Sequence, residues 1–392
     1  MAAARAYDIV VFGATGFTGE LTAAYLAQHA PAECRWALAG RSTAKLEAVR
    51  ERLALLNPRL KDLPLLQADV EDPASIRAVA ESTRVVITTV GPYLEFGEPL
   101  VAACAAAGTD YVDLTGEPEF VDLMYLAHHE TARASGARIV HACGFDSIPH
   151  DLGAYFTVKQ LPSDGHIGVY GVVRSGAQFS GGTFHSAMGA MSRQAQAKKA
   201  LAERRKREGR PEGGRRVRTI AGKPGRDSLL GLWVLPMPTI DPLVVVRSAA
   251  ALPAYGPDFT YAHFAGLKTL RYTIGGSVAV GSLVVAANIP PLRNLLKSRI
   301  KQGEGPSESR RAKSWFTVDF VGDGGGETVR TRVSGGDPGY GETSKMLAES
   351  ALSLAFDNNP PTSGQVTTAV AMGDNLLARL QAAGITFEVV TD

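Results

Sequence analysis

The chain has 392 residues, 45% of them apolar, and a formal net charge of +2. That length suggests two domains or one large one with a substantial core, and so small a charge excludes nucleic-acid binding driven by bulk electrostatics. The three cysteines, Cys34, Cys104 and Cys143, form no C-x-x-C pair and no disulfide framework, which predicts a reducing, cytoplasmic setting.

The N-terminus runs straight into an apolar, β-branched strand, Ile9 to Phe12, and leaves no room for a signal peptide. Gly13, Gly16 and Gly19 follow in G-x-x-G-x-x-G spacing, and Glu20 to His29 reads as a helix. Strand, glycine turn and helix make the first unit of a dinucleotide-binding fold. Gly13 allows the tight turn, Gly16 the approach of a pyrophosphate, and Gly19 close helix–strand packing. The expected cofactor contacts here are Gly13, Thr15, Gly16, Phe17, Thr18 and Gly19, with the phosphates on the positive end of the helix.

The second strand, Arg35 to Ala39, ends in Gly40-Arg41-Ser42. An NAD enzyme places an acid here to bond the ribose 2′-hydroxyl. Arg41 and Ser42 instead suit a 2′-phosphate, which predicts NADP(H). Ser42 is also the expected N-cap of a helix to about Leu56. Leu63 to Gln67 is the third strand; Asp69 after it is placed to contact adenine or to cap the helix from Pro73 to Glu81. Val85 to Val90 is the fourth strand, ending at Gly91-Pro92-Tyr93 beside the expected nicotinamide ribose. Gly91 and Tyr93 are therefore further cofactor candidates. A helix from Pro99 to Ala107 stops at Gly108. Asp110 to Leu114 is the fifth strand, Phe120 to Ser135 a helix, and Arg138 to Ala142 the sixth strand. Such regular alternation predicts a parallel, doubly wound Rossmann sheet over residues 1–150, with a cleft at the carboxyl ends of its strands.

After Pro149 the rhythm changes. His150 begins another helix, His166 to Arg174 is an alternating strand, and Thr183 to Ala202 reads as a helix. From Lys198 to Arg226 there are twelve Lys or Arg against Glu203, Glu208 and Glu212. This stretch, 198–226, is expected to be a mobile basic loop, with an anionic partner as the sharper reading: lipid headgroups, an acidic carrier protein or a phosphorylated substrate. Ile274 to Pro290 carries no charge and is flanked by Lys268, Arg271, Arg293, Lys297, Arg299 and Lys301. A buried helix, an interfacial hairpin and a membrane span are the three readings of 274–290. Trp315 to Val321 and Glu327 to Ser334 form a hairpin around Gly322 to Gly326. A helix, Glu342 to Phe356, follows a glycine-rich turn; 364–370 and 375–383 are helical or turn segments, and Ile385 to Val390 is an edge strand. Residues 151–392 are thus a mixed α+β substrate or dimerisation domain on an antiparallel sheet, with 335–358 a segment that returns to the domain boundary.

Several motifs together resemble the saccharopine dehydrogenase-like oxidoreductases: GATGFTG at 13–19, AGRS at 39–42, GPY at 91–93, YVDLTGE at 111–117, GFDSIPHDLG at 144–153, SGGT at 180–183 and GDPGYGETSKML at 336–347. Length and C-terminal motif are most similar to the bacterial trans-acting enoyl reductases. The resemblance implies reduction of a carbon–carbon double bond in a lipid or polyketide-type substrate held by a synthase lacking its own reductase domain. Hydride goes to one carbon and a proton must reach the other. Tyr93 and His150 are the leading proton donors, followed by Asp146 and His185; an equal reading of Tyr93 is stacking on the cofactor. Asp113 and Glu117 are expected to bind ribose, cap a helix or hold a substrate amine, and Asp146, Thr183 and His185 to line the substrate site. No metal-ligand spacing and no Ser-His-Asp triad appear. Two alternatives stay open. One is saccharopine-type C–N chemistry, for which Arg174 and Arg247 are the only arginines suited to carboxylates. The other is a membrane-associated dinucleotide-binding protein without turnover. A homodimer and peripheral membrane contact are compatible with either.

Overall fold

In the computed structural model, residues 5–177, 188–237, 239–299 and 307–391 are described. In chain order the principal elements are β1 (Tyr7–Phe12), α1 (Phe17–His29), β2 (Trp36–Gly40), α2 (Thr43–Leu56), β3 (Leu65–Gln67), α3 (Pro73–Ser82), β4 (Thr83–Thr88), the single turn α4 (Tyr93–Phe96), α5 (Glu98–Ala107), β5 (Asp110–Val112), α6 (Pro118–Ser135) and β6 (Arg138–Val140). Then come α7 (Ile148–Val158), β7 (His166–Ser175), α8 (Gln194–Glu208), β8 (Arg216–Thr219), β9 (Gly225–Asp227), β10 (Leu232–Pro236), α9 (Asp241–Ala251) and β11 (Asp258–Leu267). The chain closes with α10 (Leu270–Asn288), α11 (Pro290–Arg299), β12 (Phe316–Gly324), β13 (Glu327–Gly335), α12 (Gly341–Phe356), β14 (Gly364–Val366), α13 (Gly373–Ala382) and β15 (Thr386–Val389).

These elements form two compact units. Unit 1 is Met1–Gly144 with Tyr340–Arg379, and unit 2 is Phe145–Gln302, Pro306–Gly339 and Leu380–Asp392. The first unit thus ends at Gly144, where the sequence pattern suggested 150, and recruits a second, distant segment. Of the segment expected to return, 335–358, the part from Tyr340 onward belongs to unit 1, and the return extends through α12 and β14 to Arg379.

Unit 1 is built on a seven-stranded sheet in the order β14-β6-β5-β4-β1-β2-β3, with every pair parallel. A parallel sheet covered on both faces demands strands apolar on both sides. Ile9, Val10 and Val11 of β1 and Val85, Val86 and Ile87 of β4 meet that demand with no exposure at all. Helix starts follow local chemistry. Ser42 Oγ accepts from Lys45 N at the head of α2, and Asp72 accepts from Ala74 N at the head of α3. Helix α5 stops at Gly108, which at φ +69° supplies the left-handed cap. Helix α12 packs on α1 and lies over β1, β4 and β5. Its Met346, Leu347, Ala348 and Ala351 are fully buried.

Unit 2 is built on an eight-stranded mixed sheet ordered β15-β13-β12-β7-β11-β10-β9, with β8 paired to β11. Only β7 and β8 run parallel to β11; the other pairings are antiparallel. The hairpin of β12 and β13 turns on Gly325 and Gly326, both at positive φ, the geometry a two-residue turn between twisted strands requires. Helix α7 covers β12, β13 and β7, and α9 packs on β11, β8 and α7. The basic stretch is largely regular rather than one loop. Its first half continues α8 because residues 194–208 hold no Gly or Pro and are rich in Ala, Lys, Arg and Glu. Gly209 ends it at φ +72°.

Candidate functional site

Unit 1 places its strand order reversal between β1 and β4, where strands on the two sides connect in opposite directions; ligands of such sheets bind at the carboxyl ends there. Gly13 follows β1 at φ +85°, a conformation that favours glycine. Its carbonyl accepts from Gly16 N at 3.0 Å and from Thr89 Oγ1 at 3.1 Å. A Cβ built on Gly19 would fall 2.2 Å from Gly13 O and 2.8 Å from Thr89 Oγ1, so only glycine lets α1 start this close to β1 and β4. Thr15 and Gly16 are exposed at the turn, and Phe17 and Thr18 open α1. The first turn of a helix presents backbone N–H groups that no carbonyl of the helix reaches, a ready site for phosphate. Phe17 packs edge-on to Tyr340, ring centroids 4.8 Å apart.

Arg41, after β2, is exposed and lines a shallow pocket of about 240 Å³ with Gln67, Ala68, Asp69, Asp72 and Ser75. Gln67 Nε2 donates to the Arg41 carbonyl at 3.3 Å and leaves the guanidinium as the pocket's cation. Asp69 Oδ1 accepts from Glu71 N, while Asp72 is the residue that caps α3. The glycine cradle and this cation are what an NADP pyrophosphate and 2′-phosphate require.

The ends of β4, β5 and β6 are knitted together. Gly91 is exposed, and a Cβ built on it would meet the Tyr93 ring at 3.5 Å, an ordinary contact. The Tyr93 hydroxyl donates to Thr88 O at 3.2 Å and accepts from Leu114 N at 3.1 Å. Burial, then the charge of Asp113, push its pKa well above the tyrosine value. Glu117 accepts from Tyr93 N at 3.2 Å and Leu94 N at 3.0 Å, so it caps α4, the turn before it rather than the helix after it. Asp113 is fully buried. Its two oxygens accept from Thr115 N, Ala142 N and the Tyr111 hydroxyl, and lie 2.7 Å from His141 Nδ1.

Unit 2 contains a second cluster. His150, on the first turn of α7, puts Nδ1 2.7 Å from Oδ1 of Asp241, at the start of α9. His263, on β11, has Nε2 3.8 Å from Asp241 Oδ2 and Nδ1 3.3 Å from the Tyr261 hydroxyl. All three residues are at most 5% exposed, and among the described residues neither His150 Nε2 nor His263 Nε2 has a hydrogen-bond partner. Burial opposes ionisation of Asp241, but His150 and His263 outweigh it and hold the carboxyl below the usual carboxylate range. Burial pushes His263 down to about 4 despite Asp241. Asp146, just before α7, is raised to about 6 by burial and by the Asp241 charge. Phe145 packs edge-on to His150. The cluster therefore sets an anionic carboxylate beside a neutral imidazole, and Asp146 feels the charge of both Asp241 and His150. Sequence reasoning found His150 and Asp146 but missed Asp241 and His263, which carry no local motif. Thr183 and His185 lie outside the described residues.

Comparison with known proteins agrees with this anatomy. Residues 9–140 match the model of the saccharopine dehydrogenase NADP binding domain. Over 98% of this chain and 97% of the other, the sequence is 39% identical to a Mycobacterium tuberculosis protein named as a candidate trans-acting enoyl reductase. It is 37% identical, with the same coverage, to the trans-acting enoyl reductase of Mycobacterium bovis. An apo saccharopine dehydrogenase (L-Glu forming) from Saccharomyces cerevisiae shares the fold over 98% of this chain and all of its own, at TM-score 0.56 and 12% identity. The chain belongs to the family of the trans-acting enoyl reductases, NADP-dependent oxidoreductases with a dinucleotide-binding domain of saccharopine dehydrogenase type.

Proposed function

We propose that this protein reduces the carbon–carbon double bond of an α,β-unsaturated acyl group presented on a carrier. The observation that supports it most is the end-to-end likeness to proteins named trans-acting enoyl reductases. NADPH, held by the residues named below, would supply the hydride for the β-carbon of the acyl group. The chain's own residues hold the cofactor and deliver the proton. The Gly13–Gly19 cradle takes the pyrophosphate and Arg41 the 2′-phosphate. Gly91 borders the nicotinamide ribose.

Proton delivery to the α-carbon is assigned to His150 in preference to Tyr93. The Tyr93 hydroxyl already serves Thr88 O and Leu114 N, so Tyr93, with Asp113 and Glu117, positions the strand ends. His150 has an anionic neighbour at Nδ1 and no hydrogen-bond partner at Nε2 among the described residues, the pairing by which a carboxylate orients an imidazole for general-acid work. The carrier is an acidic protein, docked by exposed cations such as Arg205, Lys206 and Arg207 on α8.

The test is NADPH oxidation on addition of a 2-enoyl thioester of pantetheine or of an acidic carrier protein. Turnover is expected with the enoyl thioester and none with an amino acid plus a keto acid. His150→Gln lowers kcat on the order of a hundredfold with NADPH affinity retained. Bound NADPH that no thioester consumes would leave a dinucleotide-binding protein without turnover, and consumption by the amine and keto acid pair would restore saccharopine-type chemistry.

A further inference from the structure

Helix α10 is an anomaly for a surface element. It is long and apolar enough, by length and composition, to cross a membrane, yet it is largely exposed. Of the sixteen large apolar side chains exposed among the described residues, eight fall between Leu270 and Leu295. Leu270, Ile274, Val278, Val285 and Ile289 are each at least 45% exposed. At about 100° per residue their spacing puts them within one arc of the helix. Among the described residues of α10, Thr273, Ala286 and Ala287 are the buried positions, and α10 packs on β10 and β11. A contiguous patch of this kind marks an interaction surface.

We propose that α10 and α11 form a hairpin that docks unit 2 on an anionic lipid bilayer, dipping into one leaflet without crossing it. The inference is independent of the reaction. Charge selects the occupant. From Phe259 to Gln302 the sequence has no Asp or Glu. Lys268 and Arg271 stand at one end of the apolar run and Arg293 and Arg299 at the other. Apolar side chains rimmed only by cations fit acyl chains below anionic headgroups. A second copy of the same surface would meet those cations with cations, and the segment offers no acid to pair them.

Topology excludes a span. The strands on either side of the hairpin, β11 and β12, both neighbour β7 in one sheet, so the chain must return to the side it left. Helix α11 has ten residues, about 15 Å of rise against a hydrocarbon core of roughly 30 Å. The segment between it and β12 includes Glu304, Glu308, Arg310, Arg311 and Lys313, which are costly in lipid.

The test is flotation of the purified full-length protein with vesicles of phosphatidylglycerol and phosphatidylcholine, beside vesicles of phosphatidylcholine alone. The protein is expected to float with the anionic vesicles, less so as salt rises. The Ile274→Glu, Val278→Glu double variant alters only exposed positions, so it keeps the wild-type melting temperature. Its vesicle partitioning is expected to fall at least about tenfold. Insertion is read separately: Ser282→Trp on α10 gains fluorescence that brominated acyl chains quench. Wild-type protein that stays with the soluble fraction overturns the proposal. So does equal flotation of the double variant, or a dimer that it converts to monomer while neither form binds vesicles.

Discussion

Two groups of unit 2, the buried His263 and the half-buried Asp146, have effects on stability that oppose each other. His263 is depressed from 6.5 to about 4. A group with a lowered folded-state pKa contributes stability that is present above its unfolded value and lost as pH falls through the folded one. Asp146 is raised from 3.8 to about 6, so its contribution is present below 3.8 and lost as pH rises through 6. Each shift is worth about 3 kcal/mol at 1.36 kcal/mol per pKa unit. Neither group is among the causes of the other's shift, so single substitutions separate them.

Relative to wild type, Asp146→Asn is predicted to gain about 3 kcal/mol between pH 4 and 6, because the variant no longer resists ionisation. His263→Gln is predicted to lose a similar amount relative to wild type across pH 4 to 6.5. Urea unfolding followed by the fluorescence of Trp233 and Trp315, both in unit 2, measures the differences, and groups common to both proteins cancel. Differences flat to within about 0.5 kcal/mol across the window, or of reversed sign, would refute the reasoning.

Gly19→Ala sets a Cβ 2.2 Å from a backbone carbonyl. It is expected to cost about 1–3 kcal/mol by thermal unfolding and to abolish NADPH binding in a fluorescence titration. Arg41→Ala should weaken NADPH roughly ten- to a hundredfold, the value of a charge-assisted hydrogen bond, and leave NADH unchanged; equal losses for both would remove the assignment of the 2′-phosphate. Asp113→Asn keeps the size but loses acceptor capacity toward Tyr111, His141 and two backbone N–H groups. A stability loss of about 1–3 kcal/mol is expected, read as a lower melting temperature.

The parallel sheet was legible because each of its first six strands announces itself: an apolar β-branched run, then a polar or glycine end, then a helix. The glycine triplet and Arg41 were legible because backbone approach and phosphate charge constrain single residue types at fixed distances from a strand. The seventh strand was not. Gly364–Val366 is three residues long and pairs with β6, far back in the chain, so its partner, not its sequence, makes it a strand. For Glu117 the sequence offers a ribose contact, a forward cap or a grip on a substrate amine; the structure has it cap backward onto Tyr93 and Leu94, a choice set by α4 packing against α5 and α6. Asp241 reads locally as an acid in the first turn of a helix, and only the packing of α9 against α7 and β11 brings it to His150 and His263. The run 274–290 reads as buried, interfacial or spanning, since composition is blind to which face a neighbour covers.

Enoyl reduction itself is tested most directly by isotope transfer. Protein turned over with NADPH deuterated at nicotinamide C4 and a carrier-bound 2-enoyl thioester should yield a saturated acyl group with deuterium on the β-carbon and a solvent-derived proton on the α-carbon. Deuterium on a carbonyl or imine carbon, or recovery of the unsaturated thioester beside intact, bound NADPH, would contradict it.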